Sequence, residues 1–388
     1  MGVARGDAVA LTRELVLIDS RNPSLVPGAP GEGAVARALA DVLRAWGFAV
    51  EVRDASLGRP NVIARVGHAG GRTLMFNGHL DVVGVDAMTH EPFGAVEREG
   101  RLWGRGATDM KAGVAAMCAA AARAADAGLE GEVVIAAVAD EEYDSIGTRA
   151  VIAEGVRADA AIVTEPTRLA IAPAHRGFAW LTIAVRGRAA HGSRYDIGID
   201  AIRHAGLLLA ELDALEEHEL TRRTHPLLGH ASWHASTIEG GTGMSTYPDR
   251  CTLRIERRTL PGETAAQAFE ELRQAAGRVR QRRPSFDVEL SLDIAQSPSD
   301  VSPDAPIVRE LAAALTESTE DIRIEGLSAW TDASLLNEAG IPAICYGPGD
   351  IGLAHAAAEW VDIAEIERAT RVLTALATRW CRESTWRV

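Results

Sequence analysis

The stretch Thr73-Leu-Met-Phe-Asn-Gly-His-Leu-Asp81 joins a short apolar run to two polar side chains. Residues 73–77 predict a buried strand, because short apolar runs bounded by turn residues are typical of strands in a sheet core. If the chain stays extended, His79 and Asp81 share one face just beyond the strand. Open α/β sheets bind ligands outside the carboxyl ends of their strands, so this position favours a functional site. By itself, a His-x-Asp pair at a strand end is more often part of a turn than of a functional site.

Two further predicted strands also run into acidic residues. Strand 132–139 is followed by Asp140-Glu141-Glu142, and strand 160–164 is followed by Glu165. Each acidic segment alone is typical of a solvated loop. Three strand ends of one sheet that carry His and carboxylates together favour a metal site over solvated loops. These ligands suit paired divalent cations such as zinc, cobalt or manganese. The pattern predicts a metal centre at the carboxyl edge of a sheet.

Two residues farther along the chain have more than one interpretation. Asp109 precedes a predicted helix from about Met110 to Ala127, where an Asp is by default an N-cap that accepts hydrogen bonds from free amides. His355, in Leu-Ala-His-Ala, is either a metal ligand or a helix-flanking residue without a role. The residues alone leave both interpretations open.

The order of helix and strand signals predicts two domains. Residues 1–177 and 295–388 alternate between helices and short apolar strands, which predicts an α/β catalytic domain with a mainly parallel mixed sheet flanked by helices. Residues 178–294 follow a strand-helix-strand-strand-helix-strand order, which is typical of a ferredoxin-like α+β unit. The sequence therefore predicts a smaller domain inserted into a larger one.

Composition excludes several classes of protein. The 388 residues are 47% hydrophobic and carry 40 Lys and Arg against 54 Asp and Glu, a formal charge of −14. This apolar fraction excludes a disordered chain, and the acidic balance argues against nucleic acid or an anionic membrane as a partner. No run reaches the ~20 apolar residues of a membrane span, and no signal-peptide pattern is present. We therefore expect a soluble cytoplasmic protein.

Six motifs occur in order along the chain. They are Gly78-His-Leu-Asp-Val-Val83, Gly104-Arg-Gly-Ala-Thr-Asp-Met-Lys111, Asp140-Glu-Glu142, Thr164-Glu-Pro166, Gly347-Pro-Gly349 and Ala354-His355. Together they resemble the co-catalytic zinc metallopeptidase family of acetylornithine deacetylases, succinyl-diaminopimelate desuccinylases, aminoacylases and glutamate carboxypeptidases, over about residues 7 to 380. The resemblance implies a di-zinc peptidase catalytic domain with an inserted lid and dimerisation domain.

The resemblance implies two metal sites that share one carboxylate. The five implied ligands are His79, Asp109, Glu142, Glu165 and His355. Asp109 bridges the two ions, with His79 and Glu165 completing one site and Glu142 and His355 the other. Asp81 is the acid behind the ligand His79, and Glu141 is the general base. The Asp109–Met110 peptide is expected to be cis.

The resemblance also assigns residues of the inserted domain. Gly187-Arg-Ala-Ala-His191-Gly-Ser193 is similar to a lid motif whose His reaches the active site of a partner subunit, which implies a homodimer assembled through the lid. Arg258 matches a lid Arg that meets a substrate carboxylate, although a surface Arg at a strand end is an equal alternative. Where the family has an Asn three residues before a Pro, this chain has Ser245 before Pro248, which changes an expected substrate contact. Gly349 is a further expected contact.

The implied reaction is hydrolysis of the amide bond of an N-acyl amino acid or small peptide. It uses a water held between two divalent cations, most simply zinc with cobalt or manganese as alternatives, and Glu141 as general base. The metal and His191 stabilise the tetrahedral oxyanion. A dipeptidase or carboxypeptidase on the same scaffold is the alternative enzyme. A non-catalytic metal-dependent binding protein is the other alternative, against which Glu141 argues, because a pure binder has no use for a base beside the metals.

Overall fold

Helices and short strands alternate along the computed structural model, which describes residues 2–382. The helices are α1 (Ala8–Val16), α2 (Gly33–Ala45), α3 (Ala112–Asp126), α4 (Ile146–Ala153), α5 (Ala201–His218), α6 (Ala265–Arg282), α7 (Pro306–Glu317), α8 (Ala333–Glu338) and α9 (Ile363–Arg382). The strands are β1 (Ala49–Ser56), β2 (Arg59–Gly67), β3 (Thr73–His79), β4 (Val96–Arg98), β5 (Arg101–Trp103), β6 (Glu132–Val138), β7 (Ala160–Val163), β8 (Ile171–His175), β9 (Gly177–Arg186), β10 (Thr224–His225), β11 (Gly229–His230), β12 (Ser232–Gly240), β13 (Arg250–Thr259), β14 (Asp287–Gln296), β15 (Ser299–Asp300), β16 (Ile324–Leu327), β17 (Ala343–Cys345) and β18 (Trp360–Asp362).

The described residues form two units. Residues 2–173, 301–326 and 331–382 form the first, and residues 174–300 with 327–330 form the second. The division of the chain at 177/178 and 294/295 stays a prediction of the sequence.

The strand of the opening motif, β3, lies inside the sheet of the first unit. The strand order there is β1-β2-β6-β3-β7-β17. β3 pairs in parallel with both β6 and β7, so that Phe76 lies opposite Ile135 and Ile162, and β17 pairs in parallel with β7. β1 and β2 add antiparallel strands at one side. Because β3, β6 and β7 run in parallel, their carboxyl ends meet at one edge, as the sequence predicts.

The alanine-rich helix α3 lies in the core of the first unit. All its residues except Arg123, Ala125 and Asp126 are buried. Small side chains let the helix approach the sheet closely, since a Cβ on Gly113 would lie 2.0 Å from the carbonyl oxygen of Thr164. No helix within residues 2–382 is long and apolar enough to cross a membrane.

The second unit is an antiparallel sheet covered by two helices. Its strand order is β12-β13-β9-β14, and helices α5 and α6 pack against it. Alternate residues of β9, Leu181, Ile183 and Val185, are buried in its core with Leu208 of α5 and Leu272 of α6. The predicted fold class, a mainly parallel mixed sheet flanked by helices with an inserted α+β unit, is confirmed.

Candidate metal centre

The carboxyl edge of the parallel strands gathers the predicted ligands of the first unit. β3 runs two residues beyond the predicted strand and includes His79, whose side chain is buried. Glu142 follows β6 and Glu165 follows β7, so both come from strands that flank β3. Asp109 lies in the segment that leads into α3, and His355 arrives from the loop before β18.

The first group of possible ligands consists of His79, Asp109 and Glu165. Their potential ligand atoms all lie within 4.8 Å of one another. Nε2 of His79 is 3.1 Å from Oδ1 of Asp109 and 3.9 Å from Oε1 of Glu165. All three side chains are buried, so a cation among them would be shielded from solvent.

The second group consists of Asp109, Glu142 and His355, also within 4.8 Å of one another. Nε2 of His355 lies 2.9 Å from Oε2 of Glu142 and 3.5 Å from Oδ2 of Asp109. Asp109 therefore presents Oδ1 to one histidine and Oδ2 to the other. A carboxylate in this position is able to bridge two cations.

Electrostatics indicate that this cluster needs positive charge. Burial raises the pKa of Glu165 well above its ordinary value, and the charge of Asp109 raises it further. Burial and the charge of Asp109 also raise the pKa of Glu142. Hydrogen bonds to Asp109 and Glu142 raise the pKa of His355 to about 11. Bringing carboxylates together away from water is unfavourable unless cations neutralise them.

One atom in the cluster has no partner. Oε1 of Glu142 is buried and accepts no hydrogen bond from any residue between 2 and 382. Buried polar atoms are normally satisfied, so an orphaned oxygen indicates a missing ligand. Imidazole and carboxylate groups are also the donors that zinc, cobalt and manganese bind. The residues present therefore fit two divalent cations.

The backbone at Asp109 differs from a simple helix start. The Asp109–Met110 peptide is cis, as expected. Asp109 itself is extended (φ −123°, ψ 96°), and α3 begins three residues later, after Lys111. The ordinary interpretation of Asp109 as the N-cap of this helix is therefore wrong, since its carboxylate faces the two histidines instead.

Asp81 contacts His79 through its main-chain oxygen and not, as expected, through its carboxylate. Nδ1 of His79 lies 3.0 Å from the main-chain oxygen of Asp81, whereas the Asp81 carboxylate is 3.8 Å away. That carboxylate instead accepts the backbone N–H groups of Glu141 and Glu142, each at 3.2 Å. A carbonyl partner for Nδ1 fixes the tautomer that leaves Nε2 free to bind a metal. The expected carboxylate–histidine contact is therefore replaced by a carbonyl contact.

Glu141 is placed beside the two groups without belonging to either. Its Oε2 lies 3.9 Å from Nε2 of His79. Burial raises the pKa of Glu141 well above its ordinary value, and the neighbouring charges of Glu165 and Asp332 act in the same direction while His79 opposes them. A buried carboxylate near the ligands, held by the N–H contact to Asp81, is suited to accept and return a proton.

Two supporting residues are not detectable from the sequence. Asn22 donates through Nδ2 to the carboxylate of Asp81 at 2.8 Å and to that of Asp140 at 3.0 Å. Glu359 accepts the backbone N–H of Asp109 at 3.1 Å. Neither residue stands out in composition or periodicity. The only local signal is that Glu359 follows the candidate ligand His355 by four positions.

Gly349 occupies a position in the first unit that requires glycine. Its φ is +92°, and a Cβ would lie 2.4 Å from Oγ1 of Thr108. Its N–H donates to Glu365 at 2.8 Å. Thr108 immediately precedes Asp109, so Gly349 allows the chain to pass close to the ligand segment.

The second unit holds the other three predicted site residues. His191 and Ser245 lie on loops joined by the hydrogen bond from the N–H of Gly192 to the carbonyl of Ser245, at 2.7 Å. Both side chains are exposed, and Nδ1 of His191 lies 2.8 Å from Oγ of Ser193. The structure thus brings His191 and Ser245 together although more than fifty positions separate them in the sequence.

Arg258 is held on β13 of the second unit. Its Nε donates to the carboxylate of Glu256, and its guanidinium carbon lies 5.5 Å from the centre of the Phe178 ring. The side chain is about one-third exposed. Arg258 is therefore oriented by neighbours and still open to a ligand.

Known proteins resemble this chain over most of its length. Residues 75–379 match the model of peptidase family M20/M25/M40. An acetylornithine deacetylase from Myxococcus xanthus is 31% identical over 353 residues, which cover 87% of this chain and 90% of the relative. An N-formyl-4-amino-5-aminomethyl-2-methylpyrimidine deformylase from Bacillus subtilis (strain 168) is 29% identical over 94% of this chain and 93% of the relative.

A solved structure has the same fold. It is an M20 family metallo-carboxypeptidase from Sulfolobus solfataricus, which superposes with a TM-score of 0.81 over 96% of this chain and 99% of its own, at 17% identity. The match to the family model covers more than three-quarters of the sequence and contains every ligand candidate of the two groups. The chain belongs to peptidase family M20/M25/M40, a family of metal-dependent hydrolases.

Proposed function

We propose that this metal-dependent hydrolase cleaves the amide bond of an N-acyl amino acid. The observation that carries the proposal is the pair of ligand groups that share Asp109, with Glu141 beside them but in neither. A binding protein would need the ligands alone, whereas a hydrolase also needs a base within reach of the reacting water.

In the proposed mechanism, His79, Asp109 and Glu165 would hold one cation, and Asp109, Glu142 and His355 would hold the other. When bound, two divalent cations would supply Lewis acidity and make a water more acidic. Glu141 would accept a proton from the attacking water and then donate it to the nitrogen of the leaving amine, so that the base is regenerated in each cycle. The N–H contact from Glu141 to Asp81 keeps the base in place between the two transfers.

The residues of the second unit are proposed to recognise the substrate. His191 donates a hydrogen bond to the developing oxyanion, where one positioned donor contributes about 3 kcal/mol or more. Arg258 holds the substrate carboxylate, since a guanidinium matches a carboxylate with two parallel hydrogen bonds. Ser245, beside His191, and Gly349, beside the ligand segment, are each proposed to contact the substrate. In a homodimer, His191 of one subunit is proposed to act on the substrate bound in the active site of the other subunit.

Zinc is the proposed metal, with cobalt or manganese as substitutes. Each group offers one imidazole and two carboxylates, a donor set that all three ions accept. The test is to measure activity after chelation and re-addition of each ion.

The acyl group is proposed to be small, on the basis of the acetylornithine deacetylase that is 31% identical. A panel of N-acetyl, N-succinyl and dipeptide substrates, assayed with each metal, tests this assignment. We expect release of acetate or succinate from an N-acyl amino acid at a higher kcat/KM than any dipeptide gives. Preferred cleavage of dipeptides would instead establish a peptidase, and no turnover of any amide by metal-loaded protein would support a binding function.

A second candidate is removal of a formyl group from an aminopyrimidine. The deformylase that is 29% identical over 94% of the chain favours it. Such a substrate has an amide but no carboxylate for Arg258. Including an N-formyl aminopyrimidine and the variant Arg258→Met in the panel separates the two functions. The variant should have a higher KM for N-acyl amino acids and an unchanged KM for the N-formyl aminopyrimidine.

A further inference from the structure

A buried ion pair lies behind the proposed bridging carboxylate. Nη1 of Arg105 donates to Oε2 of Glu359 at 2.6 Å, and the two side chains are only 3% and 0% exposed. These residues come from the first and the last chain segments of the first unit, 254 positions apart. Neither side chain belongs to the two ligand groups.

The second oxygen of Glu359 is bound to the ligand segment itself. Oε1 accepts the backbone N–H of Thr108 at 2.9 Å and that of Asp109 at 3.1 Å. The hydroxyl of Thr108 also donates to the carbonyl of Trp360, the next residue after Glu359, at 3.0 Å. Three hydrogen bonds therefore fix the peptide units that direct the Asp109 carboxylate toward the two histidines.

The other half of the pair reaches the His355 loop. Nη2 of Arg105 donates to the carbonyl of Ala356, directly after His355, at 3.4 Å. His355 itself has a left-handed backbone (φ +58°), a conformation that few side chains adopt without support. One ion pair thus contacts both chain segments that supply Asp109 and His355.

The remaining ligands are held by other means. His79 is the last residue of β3, and Glu165 comes two residues after β7, where paired strands fix the backbone. The group of Asp109, Glu142 and His355 takes two of its three ligands from segments that the ion pair holds. The group of His79, Asp109 and Glu165 takes only one.

We propose that Glu359 is a positioning residue that sets the affinity of the Asp109–Glu142–His355 site. It acts through the N–H of Asp109 and, by way of Arg105, through the carbonyl of Ala356. This inference rests on the proposed two-metal function. It adds that the two sites depend on Glu359 to different extents, so that one can be weakened more than the other.

The test compares wild-type protein with Glu359→Ala and Glu359→Gln. Each metal-free protein is titrated with zinc in a calorimeter, and bound ions are counted by elemental analysis. Cobalt is titrated in parallel, because its visible absorption reports the ligand geometry. The control is Leu39→Ala on α2, which removes a fully buried side chain outside both ligand groups. It shows how much metal affinity falls when the protein is destabilised but no metal ligand is displaced.

We expect Glu359→Ala to weaken binding of one ion by about 10- to 100-fold, the usual effect of removing a residue that orients a ligand. The other ion should be affected less, and the control should bind both ions as wild-type does. Glu359→Gln keeps an oxygen for the N–H groups but turns an amide N–H₂ toward Arg105, so it should give an intermediate loss. Its milder change also serves if the Ala variant does not fold.

The possible outcomes distinguish the role of Glu359 from the proposed two-metal function. If wild-type binds two ions and Glu359→Gln binds both unchanged, the role of the ion pair is refuted and the two-metal function stands. An equal loss of affinity at both sites in the Glu359 variants refutes the unequal dependence of the two sites on Glu359. If wild-type protein itself binds fewer than two ions, the proposed function fails first.

Discussion

Asp109 illustrates how single residues acquire a role from their surroundings. In the sequence it precedes a helix, where an Asp usually caps the free amides. In the structure its backbone amide is held by Glu359 and its two oxygens face His79 and His355. The side chain is thereby withdrawn from capping and made available to cations. The same applies to Glu141, whose neighbours set both its position and its pKa.

Replacing Glu141 by Gln should remove catalysis and keep the metals. An amide does not accept the proton of the attacking water, so we expect kcat to fall by roughly 10²- to 10⁴-fold. Metal content, measured by elemental analysis, should stay at the wild-type level because Glu141 is in neither ligand group. The exposed Glu130→Gln is the matched control. Near-wild-type turnover by a metal-replete Glu141→Gln protein would remove Glu141 from the mechanism.

His175, in the second unit, should make stability depend on pH. Burial lowers the pKa of His175 from 6.5 to about 4, and its ring packs edge-on to Trp330. Between these pH values the unfolded chain binds a proton that the folded chain does not, so the free energy of unfolding falls as the pH drops from 6.5 to 4. The loss is at most about 3 kcal/mol.

Chemical unfolding of His175→Phe across that pH range checks this sign. We expect the variant to lose less stability on acidification than wild-type, whatever its stability at neutral pH. Phe178→Leu changes the same aromatic cluster without removing a titratable group, and it should retain the wild-type slope. Identical slopes for wild-type and His175→Phe would contradict the assignment.

Among elements, α3 approaches the segment that follows β7 closely, and that segment supplies Glu165. β7 ends at Val163, and Glu165 follows Thr164, whose carbonyl oxygen lies where a Cβ of Gly113 would be. Glycine and alanine on α3 therefore set the distance between helix and sheet. That distance in turn fixes where Glu165 enters the ligand group.

Gly113→Ala should accordingly disturb both packing and metal binding. A Cβ 2.0 Å from a backbone oxygen cannot be accommodated by a side-chain rotation, so the helix or the strand end must move. We expect a loss of about 1–3 kcal/mol in stability, as for other overpacked cores, and weaker binding of one metal. Thermal unfolding and metal titration measure the two effects.

Gly277→Ala on α6 is the control for the glycine change itself. Apart from its chain neighbours and its own helix backbone, no atom of residues 2–382 lies within 4 Å of a Cβ at Gly277, so alanine there should stabilise its helix by about 0.5–1 kcal/mol. If Gly113→Ala were as stable as Gly277→Ala and bound both metals normally, close packing at Gly113 would not constrain the site.

At the scale of the whole molecule, the open edge of the second unit agrees with the proposed homodimer. β12 forms one edge of the sheet β12-β13-β9-β14, and most of its residues are exposed. Ile238 on this strand is 55% exposed. An exposed edge strand offers unpaired N–H and C=O groups to a second chain. A homodimer assembled through this unit would cover that edge.

A mixed dimer tests whether His191 acts in the partner subunit. His191→Ala should keep metal content and folding but lower kcat, because one oxyanion donor is lost. Mixing it with Glu141→Gln protein, also of low activity, should restore some activity, since one site of a mixed dimer then has both residues intact. Light scattering and subunit exchange of labelled protein establish that mixed dimers form. Confirmed exchange without recovered activity would show that His191 does not act across subunits.

The sequence by itself determined the strands and where their polar ends lie. Apolar runs such as residues 73–77 and 132–139 are typical of buried strands because they are short and bounded by turn residues. Strand β3 and the acidic residues after β6 and β7 are therefore local features, detectable without the fold. Short edge strands such as β4 and β18 were missed, because three residues carry too little periodicity.

The tertiary structure decided which atoms of the candidate site meet. His355 contacts Glu142 from 213 positions away, and Glu359 reaches Asp109 from 250 positions away. The main-chain oxygen of Asp81, rather than its carboxylate, faces His79 because the N–H groups of Glu141 and Glu142 occupy the carboxylate. Such contacts depend on how helices and strands pack around a common core. Local sequence fixes the element in which a residue lies, but only packing between distant elements brings their side chains within hydrogen-bonding distance.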